Sequence, residues 1–273
     1  MFLDDLSLKG KVAIVTGAGR GIGKAISLAF AEAGADIVAV SRTKEEIDAT
    51  CREVKKLGRE AIAIPADVTN WEQVKAMADK AYAHFKHIDI LVNNAGTAAF
   101  KPLVSTHSLR SGQAGGDGMT EAEWHNVLDT NLTSIFLCCR AVGPYMFSQK
   151  KGKVINISSI SSKKAQVDDI AYNVSKAGVD MITRCLALDW AQYNINVNAI
   201  GPGQFYTKLS AKSHEDPNLR AGMVACIPMG RVGKLYELGY LATFLASPAS
   251  DFITGQIVFI DGGCLQFSPY KCK

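Results

Sequence analysis

Short apolar runs that alternate with segments of helical period are the feature that most constrains how this chain folds. Residues 11–16 form such a run, and residues 22–33 follow it with apolar side chains three and four positions apart. The runs, which include VAIV and KVINI, are apolar at consecutive positions, as strands covered on both faces are. Strands of this kind between helices predict a doubly wound parallel sheet with helices on both faces.

The predicted strands and helices together extend over nearly the whole chain. The expected strands are residues 11–16, 36–41, 61–65, 88–92, 153–158, 196–200 and 256–260. The expected helices are residues 22–33, 45–57, 71–85, 120–147, 170–192 and 234–245. No linker or repeat interrupts this pattern, so residues 1–273 are expected to form a single domain. A glycine-rich loop insertion is expected at about 104–118.

Composition and charge argue against several classes of function. The net charge is +4, and the basic residues are spread along the chain, which does not favour nucleic-acid binding. No apolar run approaches the roughly 18 residues that a membrane span needs, and the N-terminus lacks a signal-peptide pattern. We therefore expect a cytoplasmic protein without a membrane partner. The seven cysteines contain no CxxC pair, and His84 and His87 lack further ligands, so no metal site is expected.

A glycine-rich stretch, residues 16–23 (TGAGRGIG), directly follows the first predicted strand and opens the first helix. Glycines there let the backbone approach a pyrophosphate, and the free N–H groups of a helix start attract an anion. The P-loop frame fails at Ala18 and Ala25, and the GxGxxG frame fails at Ile22. The frame that fits is Thr-Gly-x-x-x-Gly-x-Gly, with a simple flexible turn as the alternative. The predicted cofactor-binding residues of this stretch are Gly17, Gly19, Arg20, Gly21, Ile22 and Gly23.

Two arginines favour NADP(H) over NAD(H) as the cofactor. The second predicted strand ends at Ser41 and Arg42, with no carboxylate before Glu45, whereas an acid at the strand end binds the 2′-hydroxyl of NAD. Arg20 can converge with Arg42 on a 2′-phosphate, because guanidinium groups match phosphate geometry. We expect NADP(H) to be preferred and NAD(H) to be the alternative. Two solvated arginines without a cofactor role are the competing interpretation.

Tyr172 and Lys176 form the most specific chemical pattern in the chain. They are four residues apart on a predicted helix, so both side chains lie on one face. A free tyrosine has a pKa of about 10, and a nearby ammonium group lowers this pKa toward the range where proton transfer is efficient. Ser158 and Ser159 end the preceding strand, and the residues alone do not decide which of the two reaches the same site.

Taken in order along the chain, these motifs resemble those of the short-chain dehydrogenase/reductase family. The other matching segments are Asn93-Asn94-Ala95-Gly96, Asn131, Pro202-Gly203, Thr207 and Asp261-Gly262-Gly263. The match extends over essentially the whole chain and is similar to NADP-preferring carbonyl and tropinone-type reductases. It implies a single-domain Rossmann fold and an oxidoreductase that transfers a hydride between NADP(H) and a small alcohol/ketone pair.

The resemblance also implies a role for each matching residue. Tyr172 is the general acid and base, Lys176 lowers its pKa and holds the nicotinamide ribose, and Ser159 binds the substrate oxygen. Asn131 anchors a proton-relay water. The positions that match cofactor contacts, besides the glycine stretch, Tyr172 and Lys176, are Ser41, Arg42, Asp67, Val68, Asn93, Ala95, Gly96, Pro202, Gly203 and Thr207.

The expected substrate is small and polar. Residues 161–169 and 204–209 should flank the pocket, and their polar side chains, Gln166 among them, favour such a substrate over a steroid. The insertion at 104–118 is a candidate substrate cover. Family members are usually tetramers and sometimes dimers, so the resemblance implies a homo-oligomer.

Two other functions stay open at the level of the sequence. A sugar-nucleotide epimerase or dehydratase also uses Tyr-x-x-x-Lys, but it usually has a longer C-terminal region and a different glycine frame. A regulatory protein would bind NADP without turnover, and it would not need Ser159, Asn131, Tyr172 and Lys176 together.

Overall fold

The computed structural model describes residues 4–105, 117–208, 210–211 and 215–266 and contains all seven predicted strands. The strands are β1 (Val12–Thr16), β2 (Asp36–Ser41), β3 (Ala61–Pro65), β4 (Ile90–Asn93), β5 (Gly152–Ile157), β6 (Ile195–Pro202) and β7 (Ile257–Ile260). They pair in parallel in the order β3-β2-β1-β4-β5-β6-β7. The prediction of a seven-stranded, doubly wound parallel sheet is therefore confirmed.

Eight α-helices lie in the described part of the chain, where the sequence predicts six. They are α1 (Gly21–Glu32), α2 (Lys44–Lys56), α3 (Trp71–Phe85), α4 (Glu121–Leu128), α5 (Ser134–Gln149), α6 (Ile170–Trp190), α7 (Pro217–Ala225) and α8 (Leu235–Ala246). Helix α7 has no clear period and is missed. Its start is nevertheless marked by Asp216, whose carboxylate accepts hydrogen bonds from the N–H groups of Asn218 and Leu219 at 2.8 and 3.1 Å.

A π turn (Asp129–Thr133) joins α4 to α5, so the helix predicted over residues 120–147 is a single rod with one widened turn. Helix α4 begins with a capping box in which Thr120 and Glu123 satisfy each other's backbone N–H groups. Such turns insert one extra residue and often mark functional positions. The buried residue of this turn is Asn131, which is 1% exposed.

Alternate residues of each strand face opposite helical layers, which explains why the strands are apolar throughout. Val12 and Ile14 of β1 pack into one buried cluster, and Ala13 and Val15 pack into the other. The first cluster includes Val74, Met77, Val142 and Met146 from helices α3 and α5, and the second includes Ile26, Phe30, Ile47 and Leu238 from helices α1, α2 and α8. Both faces of the sheet are thereby removed from water.

The strand order reverses between β1 and β4, and side chains tie the ends of these two strands together. The Thr16 hydroxyl accepts hydrogen bonds from the N–H groups of Asn94 and Ala95 at 2.9 and 3.1 Å and donates to the Val92 carbonyl at 3.3 Å. The Asn94 amide donates in turn to the Thr16 carbonyl at 2.8 Å. In open α/β sheets, ligands bind in the crevice at such a reversal, so this junction predicts the position of the site.

The glycine stretch passes so close to this junction that side chains do not fit. Gly17 has a φ of +65°, and a Cβ there would lie 2.7 Å from the Asn94 amide nitrogen. A Cβ on Gly23 would lie 2.3 Å from the carbonyl oxygen of Gly17. The third glycine of the frame is therefore required for the packing of α1 against the loop.

The sequence predicts neither a membrane span nor a metal site, and the described residues bear on both. Among the described helices, none combines the length and apolarity that a bilayer span needs. The described residues contain no cluster of three or more His, Cys, Asp and Glu side chains suited to a metal ion. His84 pairs with Glu60 at 2.6 Å, and His87 lies 3.4 Å from Asp89. Most of the predicted insertion, residues 106–116, lies outside the described residues.

Replacing Gly23 with alanine is expected to lower the stability of the protein by about 1–3 kcal/mol, because the new methyl group meets backbone atoms that cannot move aside. Thermal unfolding measures this loss. Gly222→Ala is the matched control, since a Cβ at Gly222 in α7 meets nothing within 4 Å. Alanine is the better helix former, so this variant should be neutral or slightly more stable. Equal melting temperatures for the two variants would contradict the packing role of Gly23.

Candidate active site

A cleft of about 520 Å³ lies along the carboxyl edge of the sheet, over the junction of β1 and β4. The glycine stretch and the end of β2 form one part of its wall, and the start of α6 forms another. The predicted residues that line it are Gly17, Gly19, Arg20, Gly21, Ile22, Ser41, Arg42, Asp67, Val68, Ala95, Gly96, Ser159, Tyr172, Lys176, Pro202, Gly203 and Thr207. Side chains that are far apart in the sequence are thus brought to one cavity.

The start of α1 offers a site for an anion at this cleft. Arg20 is the residue before the first turn, it has an extended backbone, and its side chain does not cap the helix. Among the described residues, the N–H groups of the first turn thus receive no side-chain cap, and they lie beside cleft-lining glycines. This arrangement fits the pyrophosphate of a dinucleotide cofactor.

The two predicted phosphate-binding arginines have different surroundings. Arg20 forms an ion pair with Glu46 at 2.8 Å, and a Cβ on Gly19 would lie 2.7 Å from the Cβ of Glu46. Arg42 is exposed at the same cavity, where its charge acts on Asp67. Arg20 and Arg42 therefore line one cavity, as predicted, but Arg20 is held by a carboxylate. The carboxylate that reaches the glycine stretch is that of Glu46 in the first turn of α2, which the motif does not reveal, and not that of Glu45.

Three predicted residues do not line the cleft. Gly23 packs beneath the glycine stretch, as described above. Asn93 ends β4 facing the helical layer, where its amide donates to the Asn156 side-chain oxygen at 2.9 Å. Its neighbour Asn94 lines the cavity instead, because successive residues of a strand end point to opposite sides. The third of these residues is Asn131, which lies behind the wall.

Asn131 is held between two segments that border the cleft. Its side-chain oxygen accepts from the Thr97 N–H at 2.8 Å, and its amide donates to the Thr97 carbonyl and the Ser175 hydroxyl at 2.9 and 3.0 Å. A Cβ on Gly96 would lie 3.4 Å from the Asn131 oxygen and 4.0 Å from Lys176 Nζ. Asn131 therefore fixes the backbone that lies against Lys176.

Tyr172, Lys176 and Ser159 meet at the start of α6. Lys176 is 4% exposed, and its Nζ donates to the Ile157 carbonyl at 2.7 Å while lying 5.4 Å from the centre of the Tyr172 ring. The Ser159 hydroxyl interacts with the Tyr172 phenol and lowers its pKa. The helical spacing thus brings the phenol and the amine together, as the sequence predicts.

The contacts of Ser158 and Ser159 show which of the two serines reaches the phenol. The Ser158 hydroxyl donates to the Asp180 carboxylate of α6 at 2.6 Å, so this hydroxyl is already engaged. The Ser159 hydroxyl accepts from the Ser161 N–H at 3.1 Å and contacts Tyr172. The geometry thus brings Ser159, which the family resemblance also selects, beside the phenol.

The pKa of the phenol differs from the sequence-based expectation. Burial raises the pKa of Tyr172 to about 12, the hydrogen bond with Ser159 lowers it, and the charge of Asp169 raises it. Burial also lowers the pKa of Lys176 to about 8, against the opposing effect of Asp180. In the protein alone Lys176 therefore does not lower the pKa of Tyr172 as expected, and the loss of hydration of the phenolate determines the direction of the shift.

Polar groups cover the cavity wall beside Tyr172. The Gln166 amide donates to the Ser161 hydroxyl at 2.8 Å, and both residues line the cleft. Asp169 lies directly before α6 and is 2% exposed, and burial raises the pKa of its carboxyl to about 7. Gln204 and Thr207 follow β6 on the same cavity. The flanking segments predicted at 161–169 and 204–209 therefore contribute residues to the wall, with Leu209 outside the described residues.

Known proteins resemble this chain over nearly its whole length. A family model described as enoyl-(acyl carrier protein) reductase matches residues 17–264. The 2-dehydro-3-deoxy-D-gluconate 5-dehydrogenase of Escherichia coli is 37% identical over 266 residues, which cover 97% of this chain and 99% of that protein. The 3beta-hydroxysteroid dehydrogenase 1 of Eggerthella lenta is 38% identical, with 97% of each chain covered.

A solved structure is also similar to this chain over nearly its whole length. The crystal structure of a gluconate 5-dehydrogenase from Burkholderia cenocepacia J2315 in complex with NADP and tartrate is 36% identical and superposes with a TM-score of 0.90. The match covers 98% of this chain and 100% of that chain. Together with the seven-stranded sheet, these similarities make the chain a member of the short-chain dehydrogenase/reductase family and an oxidoreductase of CH–OH groups.

Proposed function

We propose that this enzyme transfers a hydride between NADP(H) and small polyhydroxylated alcohols and ketones, with sugar acids as the substrate class. The observation that carries the proposal is the convergence of Ser159, Tyr172 and Lys176 on the cleft that the glycine stretch also lines. One cavity therefore contains groups suited to a dinucleotide and groups suited to proton transfer.

The residues of the cleft fit NADP(H). The uncapped start of α1 suits a pyrophosphate, and the exposed Arg42 suits a 2′-phosphate. Arg20 would join Arg42 once it leaves Glu46, and Lys176 would hold the nicotinamide ribose. When bound, the cofactor supplies the hydride in reduction and accepts it in oxidation. NAD(H) lacks the 2′-phosphate and is expected to bind more weakly.

The chain itself handles the proton. In the reductive direction, Ser159 donates a hydrogen bond to the substrate carbonyl oxygen, and the Tyr172 phenol transfers its proton to that oxygen as the carbon receives a hydride. In oxidation the phenolate takes the proton back from the alcohol. Asn131 supports this exchange by fixing the backbone beside Lys176, where the family resemblance expects a relay water.

The high pKa of Tyr172 decides whether its phenol can act as a proton donor or as a base. In the protein alone the phenol stays protonated at neutral pH, which suits it as a proton donor but not as a base. Bound oxidised nicotinamide would give Tyr172 a second positive neighbour besides Lys176. We infer that this added charge lowers the phenol pKa enough for alcohol oxidation.

The substrate class rests on the polar wall and on two relatives. Ser161, Gln166, Asp169 and Gln204 offer hydrogen bonds that a steroid would leave unmade at a cost. The relatives from E. coli and B. cenocepacia are named as gluconate-type dehydrogenases, which supports sugar acids. The similar hydroxysteroid dehydrogenase makes a steroid ketone the necessary comparison substrate.

Three broader expectations belong to the same proposal. Val174, Met181 and Leu188 of α6 are spaced by seven residues and are 45, 56 and 81% exposed. This apolar stripe supports the expected homo-oligomer, since exposed apolar patches of this kind commonly mark protein contacts. A single domain over residues 1–273 and a cytoplasmic location stay predictions.

Replacing Tyr172 with phenylalanine is expected to lower kcat for ketone reduction by about 100- to 10,000-fold, because the proton donor is lost. The measurement is NADPH oxidation with ketone forms of gluconate-type sugar acids and with a steroid ketone. The variant should still bind NADPH. Tyr240→Phe is the matched control, since Tyr240 is 63% exposed on α8, and it should keep wild-type rates.

Two outcomes of this experiment separate the parts of the proposal. Turnover by Tyr172→Phe close to that of the wild type would contradict the assigned chemistry. A wild-type enzyme that reduced the steroid ketone and none of the sugar-acid ketones would leave the chemistry intact and contradict the substrate class.

Replacing Arg42 with alanine is expected to raise KM for NADPH about tenfold or more, with little effect on KM for NADH, because only NADPH carries the 2′-phosphate. Glu46→Gln should lower KM for NADPH, since it releases Arg20. Arg52→Ala is the matched control, because Arg52 is an exposed arginine of α2 that does not line the cleft. Equal effects of Arg42→Ala on both cofactors would rule out phosphate recognition by this residue.

A further inference from the structure

We propose that Asp169 recognises the substrate by binding one of its non-reacting hydroxyl groups beside the carbon that is reduced. This inference rests on the proposed function and names a specificity residue for it. Asp169 stands at the end of the loop before α6 and lines the cleft together with Tyr172. Among the described residues it is one of two buried aspartates, the other being Asp180 within α6, and the contacts of the two differ.

Asp180, the other buried aspartate, has partners for its charge. Its Oδ1 accepts from the Ser158 hydroxyl at 2.6 Å, and its Oδ2, although it accepts no hydrogen bond among the described residues, lies 3.3 Å from the ammonium group of Lys163. Asp169 has a side-chain oxygen, Oδ1, that is buried and has no hydrogen-bond partner among the described residues. A buried acceptor without a donor costs free energy, so this oxygen needs a donor from outside the described chain.

Three lysines on neighbouring segments are already engaged. Lys101 forms a backbone bridge with Asp169, but its amine lies 2.6 Å from Glu123. Lys176 donates to the Ile157 carbonyl, and Lys163 pairs with Asp180. Rotating any of these amines toward Asp169 would break an existing contact. A donor that arrives in the cleft would break none.

The position of Asp169 directly before a helix does not explain its buried carboxyl group either. An aspartate at this position usually accepts a hydrogen bond from an N–H group in the first turn. Asp169 makes no such bond, and its backbone angles, φ −140° and ψ 34°, are not the extended ones that a capping residue usually has. Helix capping, the usual role of an aspartate at this position, is therefore absent among the described contacts.

The neighbourhood of Asp169 indicates the chemistry of its ligand. Asp169 and Tyr172 line the same cleft, and the charge of Asp169 acts on the phenol, so a group bound by Asp169 would lie close to the atom that Tyr172 protonates. An ionised Asp169 opposes a phenolate at Tyr172, and a donated hydrogen bond from the substrate would reduce that opposition. A hydroxyl group supplies such a bond, whereas a carboxylate would be repelled. A sugar acid is thus expected to bind with its carboxylate end directed away from Asp169.

The test is a cycle that removes either partner of the proposed hydrogen bond. The first measurement is kcat/KM of the wild type for its best polyhydroxylated ketone and for each monodeoxy analogue of that ketone. One analogue should lose about tenfold to a hundredfold, which identifies the bound hydroxyl. Asp169→Ala should lose a similar factor on the complete ketone and nothing further on that analogue, because the interaction is already absent.

Controls separate recognition from folding. Asp168→Asn removes the neighbouring charge outside the cleft wall, at a φ of +57° that asparagine accepts, and should match the wild type throughout the cycle. The melting temperature and NADPH binding report whether Asp169→Ala folds. If it does not fold, Asp169→Asn takes its place, and the uncharged amide should show a smaller loss with the same dependence on the one hydroxyl.

The outcomes distinguish this inference from the proposed function. If the wild type reduced no polyhydroxylated ketone, the proposed function would fail, and the role of Asp169 with it. If the wild type reduced such ketones but the losses from Asp169→Ala and from each deoxy analogue simply multiplied, only the role of Asp169 would be contradicted.

Discussion

The cleft exists because side chains, in addition to the strand ladder, join the ends of β1 and β4. Thr16 and Asn94 exchange hydrogen bonds across the point where the strand order reverses, and these bonds fix both loops that leave it. The glycine stretch packs so closely against this junction that Gly17 and Gly23 have no room for a Cβ. The uncapped start of α1 and the backbone near Gly96 are therefore held on the same cavity, and the site depends on this fixed spacing.

The chemistry of the site follows from burial as much as from charge. Lys176 is a buried amine held by the Ile157 carbonyl, Tyr172 is a phenol with a raised pKa, and Asp169 is a carboxyl with a raised pKa. Each of these groups loses hydration that the protein only partly replaces. Such groups are costly in a resting protein and respond strongly to a ligand that brings charge or a hydrogen bond. This response is the physical basis of both proposals, the tuning of Tyr172 and the recognition by Asp169.

Much of the fold and of the site could be predicted from the sequence, because the informative signals are local. Continuous apolar strands between amphipathic helices specify the layered sheet, and Tyr172 and Lys176 meet because a helix brings residues four apart onto one face. The serine–tyrosine contact was left to the family resemblance, since the side-chain direction at the end of β5 is not a local property. Helix α7 was missed because it is exposed and lacks a periodic apolar face, although Asp216 and Pro217 mark its start.

The remaining differences depend on contacts between distant segments. Asn93 and Asn94 are adjacent in the sequence, and only the pleat at the end of β4 decides that Asn94 lines the cavity. Glu46 acts on Arg20 because α2 packs beside the glycine stretch, which no motif reports. The sign of the Tyr172 pKa shift was wrong for the protein alone, because the sequence gives the spacing of a charge but not the loss of water around the phenol.

The most direct test of the account is the pKa of Tyr172 measured by NMR on the ring carbon that bears the hydroxyl, first in the free enzyme and then with bound NADP⁺. The resonance is assigned by its disappearance in a variant without this phenol. The account predicts that the free enzyme keeps the phenol protonated well above pH 10, with a pKa near 12, and that NADP⁺ lowers the pKa by more than one pH unit. A phenol that already titrates near neutrality in the free enzyme, or a pKa that NADP⁺ leaves unchanged, would contradict it.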